Sequence, residues 1–308
     1  MSERNAPPLS TTAAARPDGR MDLATEAFAI HRNLLFTVAY EMLGSAADAE
    51  DILQETWLRW VGVELAEVRD QRAYLVRIVT RQALSRLRTL RRRKESYVGP
   101  WLPEPLLTAP DVAEDVELAE SVSMAMLLVL ETLSPTERAV FVLREVFDRE
   151  YDEIAEAVDK SPAAVRQIAH RARAHVAARR PRGGGSRAET RGVLEAFRQA
   201  IETGDPRRLL EMLAPDVVLL GDGGGVKQAA LVPVVGAETV AHVLGRIAST
   251  ASLQPAEVNG HPALLVRLDG ELDAVIALRI DDGLITGIYA VRNPEKLLRL
   301  ERETSLRR

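Results

Sequence analysis

Two short stretches rich in proline and glycine divide this chain of 308 residues, and they limit its possible folds more than any other feature. The first stretch reads GPWLPEPL at 99–106, and the second reads PRGGGS at 181–186. Neither helix nor strand tolerates such residues in its interior, so each stretch separates the segments of chain on its two sides. The length suits two or three domains. We therefore expect three folded parts, joined first by a proline-stiffened linker and then by a flexible hinge.

The part before the first stretch is predicted to be helical throughout. Leu34, Leu35, Val38 and Met42 recur at helical spacing, and a similar apolar pattern occupies 52–60. Acidic residues precede that second pattern, where they favour a helix N-terminus. A third helix is expected over about 72–93. No alternating strand pattern interrupts these helices.

The second part contains the strongest local signals. Ser134, Pro135 and Glu137 have the spacing of a capped helix start, and Ser161 followed by Pro162 has it again. A short helix at 151–158 and a tight turn precede the second of these starts, which predicts a helix-turn-helix. The outward face of its last helix carries side chains of the types that contact phosphates and base edges in a major groove. These side chains are Arg166, Gln167, His170, Arg171 and Arg173.

Charge is unevenly distributed along the chain. The formal net charge is only −5, yet 69–98 carries ten basic and two acidic residues, and 161–182 carries six basic residues and no acidic one. These two basic segments indicate two surfaces for nucleic acid rather than a uniformly basic coat. A basic helix exposed to solvent without a ligand is the alternative interpretation of the second segment. The capping and turn signals around 161–173 favour DNA binding there.

Composition excludes several other classes of protein. The chain has no cysteine, so disulfides, thiolate metal sites and cysteine nucleophiles are excluded, and a reducing cytoplasm is the expected compartment. The longest apolar stretches fall far short of the ~18 residues that a membrane span needs. The first twenty residues lack the apolar core of a secretion signal, and we expect them to form a disordered tail.

The third part mixes helices with strands. Amphipathic helices are expected at 191–201 and 207–213, with another at about 237–248. Short apolar runs separated by Asp-Gly turns predict strands and hairpins. These runs lie at 217–220, 263–268, 272–280 and 284–291. Together they predict an α+β domain.

The motifs of the first two parts resemble those of extracytoplasmic-function (ECF) RNA polymerase sigma factors. The run DAEDILQETWLRW at 48–60, followed by RAYLVRIV from Arg72, is similar to their region 2. The run LSPTERAVFVLREV at 133–146, followed by YDEIA and SPAAVRQ, is similar to their region 4. The two matches occur in the family's order. The resemblance implies binding to the β′ and β subunits of core RNA polymerase and to promoter DNA.

Further motifs resemble the subgroup of this family that carries a C-terminal SnoaL-like domain. They are YVGPWLPEPL at 97–106, DGGG at 222–225 and NPEKL at 293–297. This chain departs from the subgroup in having Val226 before Lys227, and Gln82 and Ser85 where many relatives have asparagine and aspartate. The implied architecture is two all-α domains followed by an α+β cone-shaped barrel. Its expected parts are a tail (1–20), region 2 (21–96), a linker (97–120), region 4 (121–181), a hinge (182–188) and the SnoaL-like domain (189–308).

The resemblance also implies roles for individual residues. The polymerase-binding residues are Asp51, Gln54, Glu55 and Arg59, with Trp57 and Trp60 packed behind them. The residues facing the minus-10 element are Arg77, Arg81, Gln82, Arg86 and Arg88. The minus-35 element is expected to contact Ser161, Arg166, Gln167, His170, Arg171 and Arg173. Regulatory contacts between linker and third part are expected at Trp101, Leu102, Pro103, Glu104, Pro105, Leu106, Asp222, Gly223, Gly224, Gly225, Lys227, Asn293, Pro294, Glu295 and Lys296.

The SnoaL-like fold houses both enzymes and non-catalytic binders, so the fold alone does not assign an activity. Acid–base chemistry needs a carboxylate or histidine directed into an apolar cavity. The candidates are Asp222, His242, His261, Asp269 and Asp273. Most lie beside turn glycines, where solvated or structural roles are commoner, so we expect no catalytic residue, metal or cofactor.

Three functions remain open on the sequence. The leading one is an alternative sigma factor whose third part modulates its activity in place of a separate anti-sigma factor, with Trp101 as an apolar hook on the linker. The second is a ligand-sensing helix-turn-helix regulator that acts without polymerase. The third is a SnoaL-like cyclase or isomerase fused to a DNA-binding unit. Neither of the last two explains the motifs at 48–79.

Overall fold

The structure is a computed structural model that describes residues 17–109, 115–179, 187–246, 251–300 and 303–308. Most of the predicted tail at 1–20 lies outside these residues, but 17–20 already belong to the first helix. The predicted hinge at 182–188 also lies outside them, except for 187–188, which begin the helix that opens the third part. The boundaries of the remaining parts stay predictions from the sequence.

The first part is a bundle of three helices. They are α1 Pro17–Leu43, α2 Ala46–Trp60 and α3 Gln71–Glu95, with a 3-10 turn at Leu65–Glu67. Ser45 caps α2 by accepting a hydrogen bond from the amide of Asp48. Trp60 is fully buried, and its indole N–H donates to the Ala24 carbonyl at 2.9 Å. This hydrogen bond ties the end of α2 to the start of α1.

The second part contains five short helices. They are α4 Val116–Val122, α5 Met124–Glu131, α6 Pro135–Phe141, α7 Tyr151–Val158 and α8 Pro162–Ala177, with a π-helical turn at Val142–Val146 after α6. The predicted capping box at the start of α6 is present, with Ser134 and Glu137 bonded reciprocally. The first and second parts share one apolar core, because α3 packs against α6 and α7.

The third part is a curved sheet with helices. Its elements are α9 Arg187–Thr203, α10 Pro206–Met212, β1 Leu213–Asp222, β2 Val234–Val235, α11 Ala237–Gly245, β3 Ala251–Val258, β4 His261–Leu268, β5 Glu271–Asp281, β6 Leu284–Val291 and α12 Pro294–Leu297. The strand order is β2-β1-β6-β5-β4-β3. β1 and β6 run parallel, and the other neighbours run antiparallel. The predicted fold class, two all-α parts followed by an α+β domain, is confirmed.

The two faces of the sheet are covered by different parts of the chain. One face packs against its own helices, with Phe197 of α9 and Leu244 of α11 in an apolar core. The other face forms a separate core with Leu102 of the linker and Met124 of α5. The third part therefore buries a sheet face against the linker and the second part.

Candidate functional site

The helix-turn-helix presents the DNA-facing side chains that the sequence predicts. Asp159 adopts a left-handed conformation (φ 55°) that ends α7, and Ser161 caps α8 by accepting from the Ala164 amide. One side of α8 is buried through Val165, Ala169, Ala172 and Val176. The opposite side is exposed and carries Ser161, Arg166, Gln167, His170, Arg171 and Arg173. This arrangement suits a helix that enters a major groove.

Two of these arginines make polar contacts with their own domain, and the Arg166 guanidinium lies 5.5 Å from the centre of the Tyr151 ring. The Arg173 guanidinium lies 3.4 Å from the Tyr151 hydroxyl and 3.6 Å from a Glu145 carboxylate oxygen. Arg171 lies 4.0 Å from Glu137, a distance that leaves it a weak ion pair. The structure therefore directs Arg173 toward the base of the helix-turn-helix. Arg166, Gln167 and His170 are the side chains directed outward.

The helix predicted to face the minus-10 element, α3, contacts the second part. Arg77 of α3 forms an ion pair with Glu156 of α7 at 2.8 Å, and Arg81 donates to the Glu156 main-chain carbonyl at 2.7 Å. Apolar side chains of α3 and α7 pack beside these bonds, including Val76 and Ile154. Glu156 occupies a position next to two arginines that are predicted to meet DNA phosphates.

Other predicted minus-10 residues lie in three different places. Gln82 is only 5% exposed, and its side-chain oxygen faces the Thr56 hydroxyl of α2 at 3.4 Å. Its small exposure places it in the interface between α2 and α3 rather than on a DNA-facing surface. Arg86 is half-buried and lies 2.9 Å from Asp48 and 3.3 Å from Glu55. Arg88 is exposed. Sequence periodicity did not separate these three environments.

The predicted polymerase-binding residues share the exposed face of α2. They are Asp51, Gln54, Glu55 and Arg59. Leu58 lies among them and is 70% exposed. Arg86 of α3 reaches Asp51 and Glu55 from behind, so the predicted polymerase and promoter surfaces adjoin. Trp60 packs behind this face, and Trp57 contacts Phe28 edge to face.

The linker is buried between the other parts of the molecule. Leu102, Pro103, Glu104, Pro105 and Leu106 are all buried, and Trp101 is half-buried. A Glu104 carboxylate oxygen accepts from the Ala46 amide at 2.8 Å, at the N-terminus of α2, where negative charge is favoured. Burial nevertheless raises the pKa of Glu104, and the main-chain amides counteract that rise. The linker is thus bonded to the first part by a buried carboxylate.

Asp222 is the centre of the contact between linker and third part. It is fully buried, and one carboxylate oxygen accepts from the Leu102 amide at 2.8 Å and from the Lys296 ammonium at 2.7 Å. The other oxygen accepts from the Tyr97 hydroxyl at 2.6 Å. Asn293 donates to the same hydroxyl at 2.8 Å. Three segments that the sequence marked separately therefore meet at one carboxylate.

The glycines after Asp222 allow this close approach. Gly224 has a positive φ of 64°, and a Cβ there would overlap the side chain of Asn293. Gly225 lies beside Val98, and Gly223 leaves no room for a Cβ against the main chain of Lys227. The Lys227 side chain points away from the linker and pairs with Asp273 at 3.0 Å inside its own domain. Pro294 and the exposed Glu295 start α12, which positions Lys296.

Trp101 lies between two lysines from different parts of the chain. The Lys94 ammonium is 3.2 Å from the centre of the ring, and the Lys296 ammonium is 4.2 Å from it. Lys94 lies in the last turn of α3 and also pairs with Glu131 of α5 at 2.5 Å. Burial lowers the pKa of Lys94 to about 8, against the charge of Glu131. Trp101 therefore links the end of α3 to the third part.

A buried polar junction lies where α1, α4 and α6 meet, and no sequence pattern marks it. Glu41 of α1 accepts from the Ser121 hydroxyl at 2.8 Å, and burial raises its pKa to about 8. Arg138 of α6 is 2% exposed; its Nε–H donates to the Glu41 carbonyl at 2.9 Å, and another guanidinium nitrogen bonds to Glu131. Charged residues on apolar helix faces look like surface residues in a linear pattern.

The five acid–base candidates do not converge on one site. Asp222 forms an ion pair with Lys296, and Asp273 forms one with Arg292. His242 and Asp269 are exposed. The ring of His261 contacts the Ala119 carbonyl at 3.1 Å, and burial lowers its pKa. Among the described residues, no group of carboxylates and histidines has the arrangement of a metal site. No helix in the same ranges is long and apolar enough to span a membrane.

Comparison with known families agrees with this arrangement. The model of Sigma-70 region 2 matches residues 27–93, and that of Sigma-70, region 4 matches residues 123–176. Together these two matches define a transcription initiation factor of the sigma-70 class. The helices α1–α3 thus lie in region 2 and α5–α8 in region 4. We call residues 187–308 the C-terminal domain.

Similar proteins narrow the class to one family. The chain is 34% identical to the ECF RNA polymerase sigma factor SigJ of Mycobacterium tuberculosis, over 86% of this chain and 90% of that protein. It is 33% identical to the probable ECF sigma factor SigI of the same organism, over 90% of this chain and 95% of that protein. The crystal structure of M. tuberculosis SigJ superposes with a TM-score of 0.73 at 32% identity, covering 90% of this chain and 99% of that one. The chain belongs to the ECF RNA polymerase sigma factors.

Membership in this family settles the class of function. The chain is an alternative sigma factor, which binds core RNA polymerase and promoter DNA and directs the initiation of transcription. Sigma factors of this kind are not enzymes, so the sequence-based prediction of an alternative sigma factor is confirmed over a ligand-sensing regulator or a fused cyclase. Modulation by the third part stays a prediction.

Proposed function

We propose that the C-terminal domain regulates this sigma factor in cis by holding it closed, with region 4 packed on the promoter-facing helix of region 2. The observation that carries the proposal is the buried Asp222, which bonds to the linker amide of Leu102 and to Lys296. An aspartate buried this completely is retained where its charge is paired and its oxygens are hydrogen-bonded. Here those partners come from the linker and from α12.

In the closed arrangement, region 4 competes with DNA for α3. Glu156 pairs with Arg77, and its carbonyl accepts from Arg81. Promoter phosphates need the same guanidinium groups, so minus-10 binding requires α7 to leave. Arg88 remains exposed beyond this contact and supports a sequence-independent attraction to phosphate. Gln82 is not included in this proposal because it lies between α2 and α3.

The exposed face of α2 is the proposed polymerase surface. Asp51, Gln54, Glu55 and Arg59 offer charged and amide groups to the clamp helices of the β′ subunit, and the exposed Leu58 adds an apolar contact. Arg86 pairs with Asp51 and Glu55 from α3. A change at α3 is thereby transmitted to the polymerase surface through these ion pairs.

For the minus-35 element we propose the outward face of α8. Arg166, Gln167 and His170 contact base edges, while Ser161 and Arg171 contact the phosphates that flank them. Because these residues stay exposed in the closed arrangement, region 4 reaches its element before region 2 does. Core polymerase and the promoter are cytoplasmic in bacteria, so this is the compartment in which we place the chain.

Run-off transcription with purified core polymerase tests regulation in cis. The full chain is compared with Asp222→Asn, which removes the charge that binds Lys296, and with the matched variant Asp273→Asn. Asp273 is also buried and paired, but with Lys227 and Arg292 of its own domain. We expect Asp222→Asn to change promoter output several-fold and Asp273→Asn to leave it near that of the wild type. Equal output from all three proteins would exclude the Asp222 contact as a regulatory one.

A further inference from the structure

Three hairpin turns of the C-terminal domain have the same local geometry but different surroundings. Asn259, Asp269 and Asp282 each precede a glycine and each have a φ between 51° and 54°. Asp269 and Asp282 are exposed, whereas Asn259 is 1% exposed. Both asparagine and aspartate tolerate this left-handed conformation. Turn chemistry therefore does not explain why the buried turn alone carries an amide.

The contacts of Asn259 explain the amide. Its side-chain nitrogen donates to the Tyr40 hydroxyl at 2.6 Å and to the Val122 carbonyl at 2.8 Å. Its side-chain oxygen accepts from the Leu106 amide at 2.9 Å, and its own amide donates to the Leu106 carbonyl at 2.8 Å. One residue thus bonds to α1, to the linker and to the end of α4. Every polar group of its side chain is used.

The direction of these bonds requires a donor at this position. The Tyr40 hydroxyl donates its own proton to the Glu104 carbonyl at 2.7 Å, so it accepts from Asn259. Burial raises the pKa of Tyr40, so this hydroxyl stays protonated. An aspartate at 259 would place a carboxylate oxygen against the Val122 carbonyl with no proton between them. Unpaired buried oxygens of this kind are costly.

The two residues after Asn259, Gly260 and His261, pack against α4. A Cβ at Gly260 would lie 2.7 Å from the Cα of Ala119, so α4 approaches the turn as closely as glycine allows. The Gly260 amide donates to the Thr108 hydroxyl at 3.0 Å, and the ring of His261 contacts the Ala119 carbonyl. At the equivalent glycine of the exposed turn, Gly270, a Cβ would meet nothing within 4 Å.

The end of the chain binds beside this turn. Thr304 pairs with Thr108 of the linker, and the Arg307 amide donates to the Thr37 hydroxyl of α1 at 3.0 Å. Leu306 is 2% exposed and belongs to the apolar core shared by regions 2 and 4. A second segment of the C-terminal domain therefore contacts the same face of α1.

We infer that the Asn259-Gly260 turn is a clamp that fixes α1 of region 2 against α4, the helix that leads into region 4. The clamp is distinct from the Asp222 contact, which joins the C-terminal domain to the linker and to α12. The inference rests on the proposed function, since it names the contact that keeps the two promoter-binding regions together. Loss of the clamp lets region 4 move away from α3 while Asp222 keeps the linker in place.

The absence of cysteine makes a distance measurement direct. Ala66→Cys in region 2 and Ala178→Cys after α8 are both exposed and accept a pair of fluorescent dyes on the full chain. Energy transfer between single pairs then gives the populations of closed and open molecules. The test variant is Asn259→Asp, which is isosteric and keeps the turn. The matched control is Asp269→Asn, the reverse exchange at the exposed turn.

The expected result is a shift of about tenfold toward open molecules for Asn259→Asp, as two buried hydrogen bonds are lost, and no shift for Asp269→Asn. Asn259→Gly keeps the turn conformation and removes the donor without adding charge, so it gives the same direction of shift if Asn259→Asp fails to fold. Wild-type distances in both Asn259 variants would overturn the inference. If Asp222→Asn still changed promoter output in that case, the proposed function would stand without the clamp.

Discussion

The two helices predicted to bind DNA, α8 and α3, differ in their contacts with the rest of the molecule. The outward face of α8 exposes Arg166, Gln167 and His170, whereas on α3 Arg77 and Arg81 are bonded to α7 and Gln82 is buried. Both helices are rich in arginine in the sequence. The difference teaches that packing between domains, and not arginine content, decides which of these side chains have partners within the chain. The predicted minus-35 face is exposed, whereas part of the predicted minus-10 face contacts α7, with Arg81 and Arg88 still exposed to solvent.

The largest effect on stability is expected from replacing Arg138, the buried arginine that joins α6 to α1. Arg138→Met leaves the Glu41 carbonyl and one oxygen of Glu131 without their donor, and breaking a buried pair costs roughly 3 to 5 kcal/mol. Urea unfolding monitored by circular dichroism measures the loss. Arg144→Met is the matched control, because Arg144 pairs with the exposed Asp148. Equal losses in both variants would show that the junction adds nothing to stability.

A pH effect of intermediate size is expected at the same junction. Because burial raises the pKa of Glu41 to about 8, its contribution to stability is complete below about pH 4.5 and is lost as the pH rises toward 8. Relative to Glu41→Gln, the wild type should lose roughly 2 kcal/mol between pH 6 and 7.5. Urea unfolding of both proteins at several pH values measures this difference. Parallel pH profiles would mean that Glu41 is ionised in the folded chain.

The exposed face of α8 is tested by measuring how the full chain binds DNA in the absence of polymerase. Arg166→Ala should weaken binding to a minus-35 duplex by roughly 1 to 3 kcal/mol and relax the preference at one base pair. Arg81→Ala should leave that binding unchanged, since Arg81 is bonded to α7. Fluorescence anisotropy at fixed salt measures both. A larger loss from Arg81→Ala than from Arg166→Ala would reverse the comparison between the two helices.

The smallest effect on DNA binding is expected from breaking the ion pair between Arg77 of α3 and Glu156 of α7. Glu156→Gln removes an exposed pair with Arg77, and such pairs contribute roughly 0.2 to 1 kcal/mol. Binding of single-stranded minus-10 DNA should therefore strengthen no more than about fivefold. Asp152→Asn, on the exposed side of the same helix, is the control for the change in net charge. Weaker binding by Glu156→Gln would show that Glu156 does not compete with DNA.

Local signals predicted the elements of the fold well where capping or turn residues mark their ends. Ser134 and Ser161 start helices as expected, and the Asp-Gly turns join β4 to β5 and β5 to β6. β3 was not predicted, because Pro255 lies within it; the strand accommodates this proline at the edge of the sheet. From sequence alone, a proline predicts the end of a strand, because its position at an edge or in the centre of a sheet is unknown.

The candidate site was predicted unevenly for a physical reason. Sequence motifs marked the linker, Asp222, Asn293 and Lys296, and the structure brings these residues into contact. No motif marks Glu41 of the buried junction or Asn259 of the clamp. A polar side chain in a helix or turn is predicted to be exposed to solvent until its partner is known. Those partners are 80 residues away for Glu41 and 219 for Asn259. Packing between domains decides their roles.

Whether region 4 leaves α3 is best decided by following the distance between regions 2 and 4 as transcription starts. The doubly labelled chain, with dyes at positions 66 and 178, is measured alone, with core polymerase, and with polymerase on promoter DNA. We expect one short distance in the free chain and a longer one once the minus-10 element is bound, since α7 must leave α3. The same short distance in a complex that makes transcripts would refute the closed state as a regulatory one, because minus-10 binding would then occur with α3 still covered.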